Sequence, residues 1–216
     1  MNILQPIKTQ STTQRVLLAL REAIYTKKLL PGQRITQNDL ARQLNVSITP
    51  IREALMTLEM EQLVKIEPHK ETIILGVNEK YIRDYYHTRT VLEGYLSELV
   101  ARPGTDISPI EAAYQRMEEV VHSGQYDSYG AANADFHQAI YHVAGNLFIS
   151  NLLSQISISQ SAAKTSSSRN YVLQSFQEHA RIMDCIRVHD PEHAAEEMKA
   201  HLLRSMSDIL TYFSED

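Results

Sequence analysis

Three histidines and one asparagine in the C-terminal two thirds of the chain have the types and spacing of metal ligands. His179 and His201 each lie eleven residues from Asp190, in an Asp-Pro turn between two predicted helices. In an antiparallel helical hairpin, positions equidistant from the turn stand at the same height, so both imidazoles can face one point. Asn133 and His137 are four residues apart and share one face of an earlier helix. Three imidazoles and an amide or water oxygen would suit Zn²⁺, Ni²⁺ or another divalent first-row metal, with positions left open for an exogenous ligand.

Arg89 is a candidate anchor for an acidic effector, because a guanidinium group offers a planar fork of donors to a carboxylate. The alternative is an ion pair with Glu93, four residues later. Three tyrosines can either line the same cavity or form ordinary core, namely Tyr85, Tyr86 and Tyr95. A metal-free effector pocket anchored by Arg89 is therefore the alternative to a metal-containing sensor.

Helical patterns that would position these side chains begin near residues 79, 109, 127, 147, 170 and 191. Turn-forming stretches such as residues 102–104 and 145–146 separate them. No strand pattern is evident beyond residue 77. The sequence therefore predicts a mainly α-helical protein whose C-terminal part is an antiparallel bundle of about six helices.

The N-terminal segment predicts three helices followed by a β-hairpin. Residues 12–28 repeat apolar side chains at helical spacing, and a Pro-Gly turn ends that pattern. Thr36 can cap a short second helix, and Ser47 can begin a third. Two β-branched stretches, residues 63–66 and 72–75, then predict a hairpin wing. A linker at residues 76–78 would separate a domain of residues 1–76 from one of residues 77–216.

Two helices joined by a tight turn can lay the first turn of the second helix in the major groove of DNA. Arg52 can bind guanine or clamp a phosphate, and Ile48 can contact a thymine methyl group. Ser47 and Thr49 can reach phosphates. Residues 1–76 carry a net charge of +3 and residues 77–216 one of −8, as expected for a basic DNA-binding head on an acidic sensor. A winged helix that binds protein instead of DNA is the alternative.

The N-terminal motifs resemble the signature of the GntR family of bacterial regulators. The resemblance covers residues 12–75 and rests on LPGQRI at 30–35, LA at 40–41 and VSITPIREAL at 46–55. It implies a winged helix-turn-helix that binds DNA through the start of the third helix, through Asn38 and through the wing tip at His69 and Lys70. This chain departs from the family's usual residues at Asn38, Ile48, Gln62 and near His69, so we expect its operator to differ from the family's common one.

Residues 81–210 resemble the all-helical effector domain, known as the FCD domain, of the FadR subfamily of GntR regulators. The resemblance rests on RxxLE at 89–93, FHxxI at 136–140, AGN at 144–146, EHxxI at 178–182 and MxxH at 198–201. It implies a divalent metal held by Asn133, His137, His179 and His201, whose free positions accept the carboxylate of a small organic acid. Asn133 stands where the family has Asp, and a neutral amide is the weaker ligand. The resemblance further implies a homodimer that represses transcription from an inverted-repeat DNA operator.

Other classes of protein are disfavoured. With one cysteine, no apolar run near the roughly 20 residues that a membrane span needs and no signal segment, the sequence predicts a cytoplasmic protein without membrane contact. An enzyme would use the histidine cluster as a catalytic metal site. The sequence has no Gly-rich phosphate loop, nucleophile elbow, HExxH motif or paired ExxH helices. We therefore do not expect an enzyme.

Overall fold

The computed structural model describes residues 11–68, 71–156 and 168–214. The chain divides into two compact units, Met1–Asn78 and Glu79–Asp216. The fold is mainly α-helical with one small antiparallel sheet, as the sequence predicts.

The N-terminal unit contains α1 (Thr12–Tyr25), α2 (Gln37–Leu44) and α3 (Ile48–Met60). Helices α1 and α2 both pack on α3. The apolar stripe of α3 is completely buried and includes Ile51, Leu55 and Leu58. Burial of such side chains is the main source of stability for a helix of this length.

The turn between α2 and α3 fixes the direction of the third helix. The Oγ1 atom of Thr36 accepts a hydrogen bond from the backbone N–H of Asp39 at 3.1 Å, so Thr36 caps α2 as expected. Asn45 ends α2 in the left-handed conformation, with φ of 50°. Ser47 occupies the N-cap position of α3, but its side chain makes no capping hydrogen bond. The hydroxyl group of Ser47 is therefore not used to cap the helix.

The sheet has one strand more than the predicted hairpin. Strands β2 (Val64–Ile66) and β3 (Glu71–Ile74) pair antiparallel, as the two β-branched stretches predict. Strand β1 (Arg34–Thr36) pairs with the other edge of β3, in the order β1-β3-β2. The wing is thus joined by backbone hydrogen bonds to the segment that leads into α2.

The C-terminal unit contains α4 (Glu79–Val100), α5 (Ser108–His122), α6 (Tyr129–Ala144), α7 (Leu147–Ile156), α8 (Arg169–Arg187) and α9 (Pro191–Ser214). These helices begin within two residues of the predicted positions. Helix α4 packs along α9, α5 along α6, and α8 along α9. Helices α4 and α9 come close at Gly94, where an added Cβ would lie 2.7 Å from Cε of Lys199. Within the described residues, no helix has the length and apolarity that crossing a bilayer requires.

Candidate metal centre and nucleic-acid interface

Three buried histidines from three helices meet inside the C-terminal unit. His137 lies on α6, His179 on α8 and His201 on α9, and one nitrogen of each lies within 4.8 Å of the other two. The ring centroids of His179 and His201 are 4.3 Å apart, as the symmetry of their hairpin predicts. The Nε2 atoms of His137 and His179 are separated by 3.3 Å.

These distances fit one metal ion. Two nitrogens that bind a tetrahedral zinc ion, each at about 2.0–2.1 Å, lie about 3.3 Å apart. The Nε2 atoms of His137 and His179 have that separation before any ion is added. Neutral imidazoles are also the nitrogen ligands that zinc and nickel favour. The cluster can therefore hold a divalent first-row metal.

Each histidine has a hydrogen-bond partner at its other ring nitrogen. The Nδ1 atom of His137 is 2.7 Å from Oε2 of Glu93, and that of His201 is 2.7 Å from Oε2 of Glu178. The Nδ1 atom of His179 is 3.2 Å from the hydroxyl of Tyr129. Such partners orient the imidazole rings of metal sites and select the tautomer. In all three residues Nε2 thus remains available to a metal.

Two arginines hold the two carboxylates. Arg89 donates through Nε to Oε1 of Glu93 on the same helix. Arg204 of α9 makes a two-point contact with Glu178, in which Nε donates to Oε1 and Nη2 to Oε2, both at 2.7 Å. His137 and His201 are therefore each backed by a carboxylate and then by an arginine.

The local electrostatics favour charge states that allow the cluster to bind a metal ion. Burial, with a further contribution from the neighbouring imidazoles, lowers the pKa of His179 and of His201 well below the usual value. Burial opposes ionisation of Glu93, but Arg89 and His137 outweigh it and hold the pKa of that carboxyl well below its usual range. The site therefore combines the imidazoles of His179 and His201, which burial keeps neutral, with an ionised carboxylate at Glu93.

The remaining residues predicted for the sensor have different surroundings. Asn133 lies on α6 one turn before His137 and is half-buried, whereas Asp135 is exposed. Arg89 makes the ion pair with Glu93 that was the alternative to effector binding. Its guanidinium carbon is 5.5 Å from the ring centroid of Tyr85. Tyr95 is 43% exposed, so the expectation that it forms core is wrong.

The predicted DNA contacts within the described residues all lie on the surface. At the start of α3, Ser47, Ile48, Thr49 and Arg52 are exposed, and Asn38 is exposed at the start of α2. His69 and Lys70, predicted at the wing tip, lie outside the described residues. Near the same end of α3, Glu53 accepts a hydrogen bond from the hydroxyl of Thr13 at 2.6 Å, which connects α3 to the start of α1.

The sequence prediction missed the residues behind the histidines. Tyr129 and Arg204 are absent from the predicted site, Glu178 is predicted only as a motif residue, and Glu93 only as a motif residue and a partner of Arg89. One signal was present, because Arg204 follows His201 by three residues and Glu178 directly precedes His179. Glu178 lies 12 residues before Asp190 and Arg204 lies 14 residues after it, so the two opposite charges stand at similar heights of one hairpin, which indicates a pair across it.

Two family models match the chain. Residues 12–74 match "Bacterial regulatory proteins, gntR family", and residues 84–204 match "FCD domain". The gluconate operon transcriptional repressor of Bacillus licheniformis is 26% identical over 188 residues, which cover 85% of this chain and 77% of that protein. The probable D-xylose utilization operon transcriptional repressor of Paenarthrobacter nicotinovorans is 25% identical over 173 residues, covering 79% of this chain and 76% of that protein.

Solved structures share the fold. McbR/YncC of Escherichia coli has a TM-score of 0.69 at 18% identity and covers 95% of this chain and 100% of its own. A metal-free FCD domain of a transcriptional regulator has a TM-score of 0.54 at 20% identity and covers 65% of this chain and 99% of its own. The matched families and relatives are transcription regulators and not enzymes. The chain therefore belongs to the GntR family of bacterial regulatory proteins, with a DNA-binding helix-turn-helix followed by an FCD domain.

Proposed function

We propose that this regulator is a repressor of the FadR subfamily that senses a small organic acid at a divalent metal. Residues 1–76 form its DNA-binding domain and residues 77–216 its sensing and dimerisation domain. The names of two relatives, both operon repressors, support repression. Those names refer to gluconate and D-xylose, which are small polyhydroxylated molecules, and the first is a carboxylate.

The observation that carries the metal proposal is the arrangement of His137, His179 and His201, whose Nδ1 atoms are all engaged while Nε2 is left available. Asn133 is the proposed fourth ligand, because it lies one helical turn before His137. Zinc and nickel are the favoured ions. The ion would leave open positions to which an effector carboxylate can bind.

The proposed regulator acts in the cytoplasm as a homodimer on an inverted repeat. The start of α3 from each protomer enters the major groove, with Arg52 and Thr49 among its contacts. An effector shifts the conformational equilibrium only to the extent that it binds one state better than the other. We propose that the acid favours the state in which the distance between the two DNA-binding domains no longer matches the spacing of the operator half-sites.

Elemental analysis tests the metal proposal directly. The chain is purified without chelator or His-tag, beside a His179→Ala/His201→Ala variant and a control variant, His189→Ala/His193→Ala. The control alters only exposed histidines, one in the turn after α8 and one in the first turn of α9. We expect about one metal ion per chain in the wild type and the control, and none in the cluster variant. A wild type that neither retains nor takes up zinc or nickel would contradict the proposal.

A second candidate mechanism is a metal-free pocket anchored by Arg89. Within the described residues, only Nε of this guanidinium has a hydrogen-bond partner, so its two terminal amino groups are available to a carboxylate. Thermal shifts of chelator-treated protein with a panel of carboxylates, gluconate included, test this mechanism. A shift in the wild type that Arg89→Lys abolishes would favour it over the metal mechanism.

A further inference from the structure

Two series of contacts in the C-terminal unit run from an arginine through a carboxylate to a histidine: Arg89–Glu93–His137, the first relay, and Arg204–Glu178–His201, the second relay. The two relays are not equivalent. In the first relay, Arg89 contacts Glu93 through Nε alone. In the second, all three nitrogens of the Arg204 guanidinium are engaged, two by Glu178 and Nη1 by Asp208. The guanidinium of Arg204 also lies 5.0 Å from the ring centroid of Tyr171. Every guanidinium nitrogen of Arg204 in the second relay thus has a hydrogen-bond partner.

A carboxylate clamped in this way determines which nitrogen of His201 carries the proton. Both oxygens of Glu178 accept hydrogen bonds from Arg204, so this carboxylate acts as an acceptor. The Nδ1 atom of His201, 2.7 Å from Oε2 of Glu178, must therefore be the protonated nitrogen. The lone pair of His201 is then on Nε2, facing the other two histidines.

We infer that Glu178, held by Arg204, is a positioning residue that keeps His201 in the tautomer able to bind a metal. The inference rests on the proposed metal site but assigns a role that the ligands themselves do not have. The inference also gives the two relays different roles, because Glu178 sets the affinity for the metal and is not available to bind an effector. Loss of such a partner lowers metal affinity by roughly 10- to 100-fold.

Replacing Glu178 by Gln tests the role with little change in shape. The amide has one acceptor oxygen where the carboxylate has two, so it cannot accept from both Nε and Nη2 of Arg204 as Glu178 does. In one amide orientation the oxygen accepts from Nε and the N–H₂ group donates to Nδ1 of His201, which moves the imidazole proton to Nε2. In the other, the oxygen accepts from Nη2 and from the Nδ1–H of His201, as a neutral and weaker acceptor. The variant therefore populates the tautomer that lacks the metal-binding lone pair, although every residue of the cluster is present.

The matched control is Glu197→Gln. Glu197 of α9 pairs with Arg181 of α8 at 2.8 Å, so it belongs to an ion pair across the same two helices, in which Arg181 is exposed and Glu197 is half-buried. A general loss of helix contacts would affect both variants. Arg204→Lys is the second variant, because lysine keeps the charge but cannot make the two-point contact.

Zinc affinity is measured by competition with a chromogenic chelator, and the tautomer of His201 by long-range ¹H–¹⁵N correlation in the metal-free protein. We expect Glu178→Gln to weaken zinc binding roughly 10- to 100-fold and to populate the Nε2-protonated tautomer of His201, with Glu197→Gln unchanged and Arg204→Lys weakened less. Unchanged affinity in Glu178→Gln, or a proton on Nε2 in the wild type, would overturn the inference. Because the tautomer is observed without metal, it decides the role of Glu178 even if the wild type binds no zinc and the proposed function fails.

Discussion

The Nε2 atoms of His137 and His179 lie 3.3 Å apart, although the residues are 42 positions apart in the chain. An ion that joins them stabilises the folded state by mass action, by about 2.7 kcal/mol at a free concentration of 100 times Kd. We expect zinc to raise the melting temperature of the wild type and of His87→Ala, which alters an exposed histidine of α4. Zinc should leave the melting temperature of His137→Ala unchanged. An equal shift in all three proteins would mean that zinc binds elsewhere.

Asn133→Asp should strengthen metal binding. A carboxylate adds one negative charge to the ligand set, and ligand charge is a main determinant of Kd at metal sites. We expect zinc affinity to rise about tenfold, measured by chelator competition. Asp135→Asn, two positions further along α6 and exposed, is the control and should have no effect. A weaker site in Asn133→Asp would show that this position does not face the ion.

Arg89→Ala should destabilise the protein much more than Arg102→Ala. Both arginines form ion pairs with a glutamate four residues away on α4, but Glu93 is fully buried, whereas Arg102 is exposed and Glu98 is half-buried. Removing one partner of a buried pair costs about 3–5 kcal/mol, and an exposed pair contributes about 0–1 kcal/mol. Urea unfolding of the two variants measures the difference. Equal losses would contradict the assignment of Glu93 as a buried, ionised carboxylate.

Arg21 and Glu61 form a buried ion pair in the N-terminal unit. From this pair we predict that Arg21→Met loses folding stability to an extent that depends on pH. Burial raises the pKa of Glu61 even beside Arg21. A raised carboxyl pKa favours the folded state below the unfolded-state pKa, and that contribution is lost as the pH rises through the folded-state pKa. Without Arg21 this pKa rises further.

We therefore expect Arg21→Met to lose about 3 kcal/mol at pH 7 and clearly less near pH 4.5, where Glu61 can be protonated. Urea unfolding at both pH values measures this. Arg34→Met, which breaks exposed ion pairs of the sheet, serves as the comparison and should lose about 1 kcal/mol or less. A loss in Arg21→Met that does not depend on pH would contradict the prediction.

Arg52→Ala should weaken operator binding by about 1–3 kcal/mol, because Arg52 is exposed at the start of α3. Fluorescence anisotropy with operator and unrelated DNA at several salt concentrations separates two roles. If Arg52 contacts a base, the loss is confined to the operator. If it contacts a phosphate, binding to both DNAs falls and the salt slope decreases by about one. Arg102→Ala, an exposed arginine of the C-terminal unit, should bind both DNAs as the wild type does.

Local patterns were sufficient to predict most of the helices. The Pro-Gly turn before β1, the left-handed Asn45 and the Asp-Pro turn before α9 are short-range signals that depend on few neighbours. Strand β1 was missed because three residues are too few to show a period, and its partner β3 lies 35 or more positions away. A strand of this kind is defined by its pairing and not by its own sequence.

The candidate metal centre was predictable only in part. His179 and His201 could be paired because a single hairpin relates them. His137 required a resemblance to a family, since nothing local shows that α6 packs beside that hairpin. The contact between Glu93 and His137 depends on how α4 and α6 pack, and this packing is a property of the whole bundle.

The three histidines and their carboxylates connect α4, α6, α8 and α9 at one point. An ion bound there would act as a reversible cross-link between segments that are far apart in the chain, and such cross-links restrict local opening. Among the described helices, α5 and α7 contribute no residue to this network. We expect a bound ion to slow hydrogen exchange in the four connected helices while α5 and α7 continue to open. Ligand binding would then change which helices of the domain remain free to unfold.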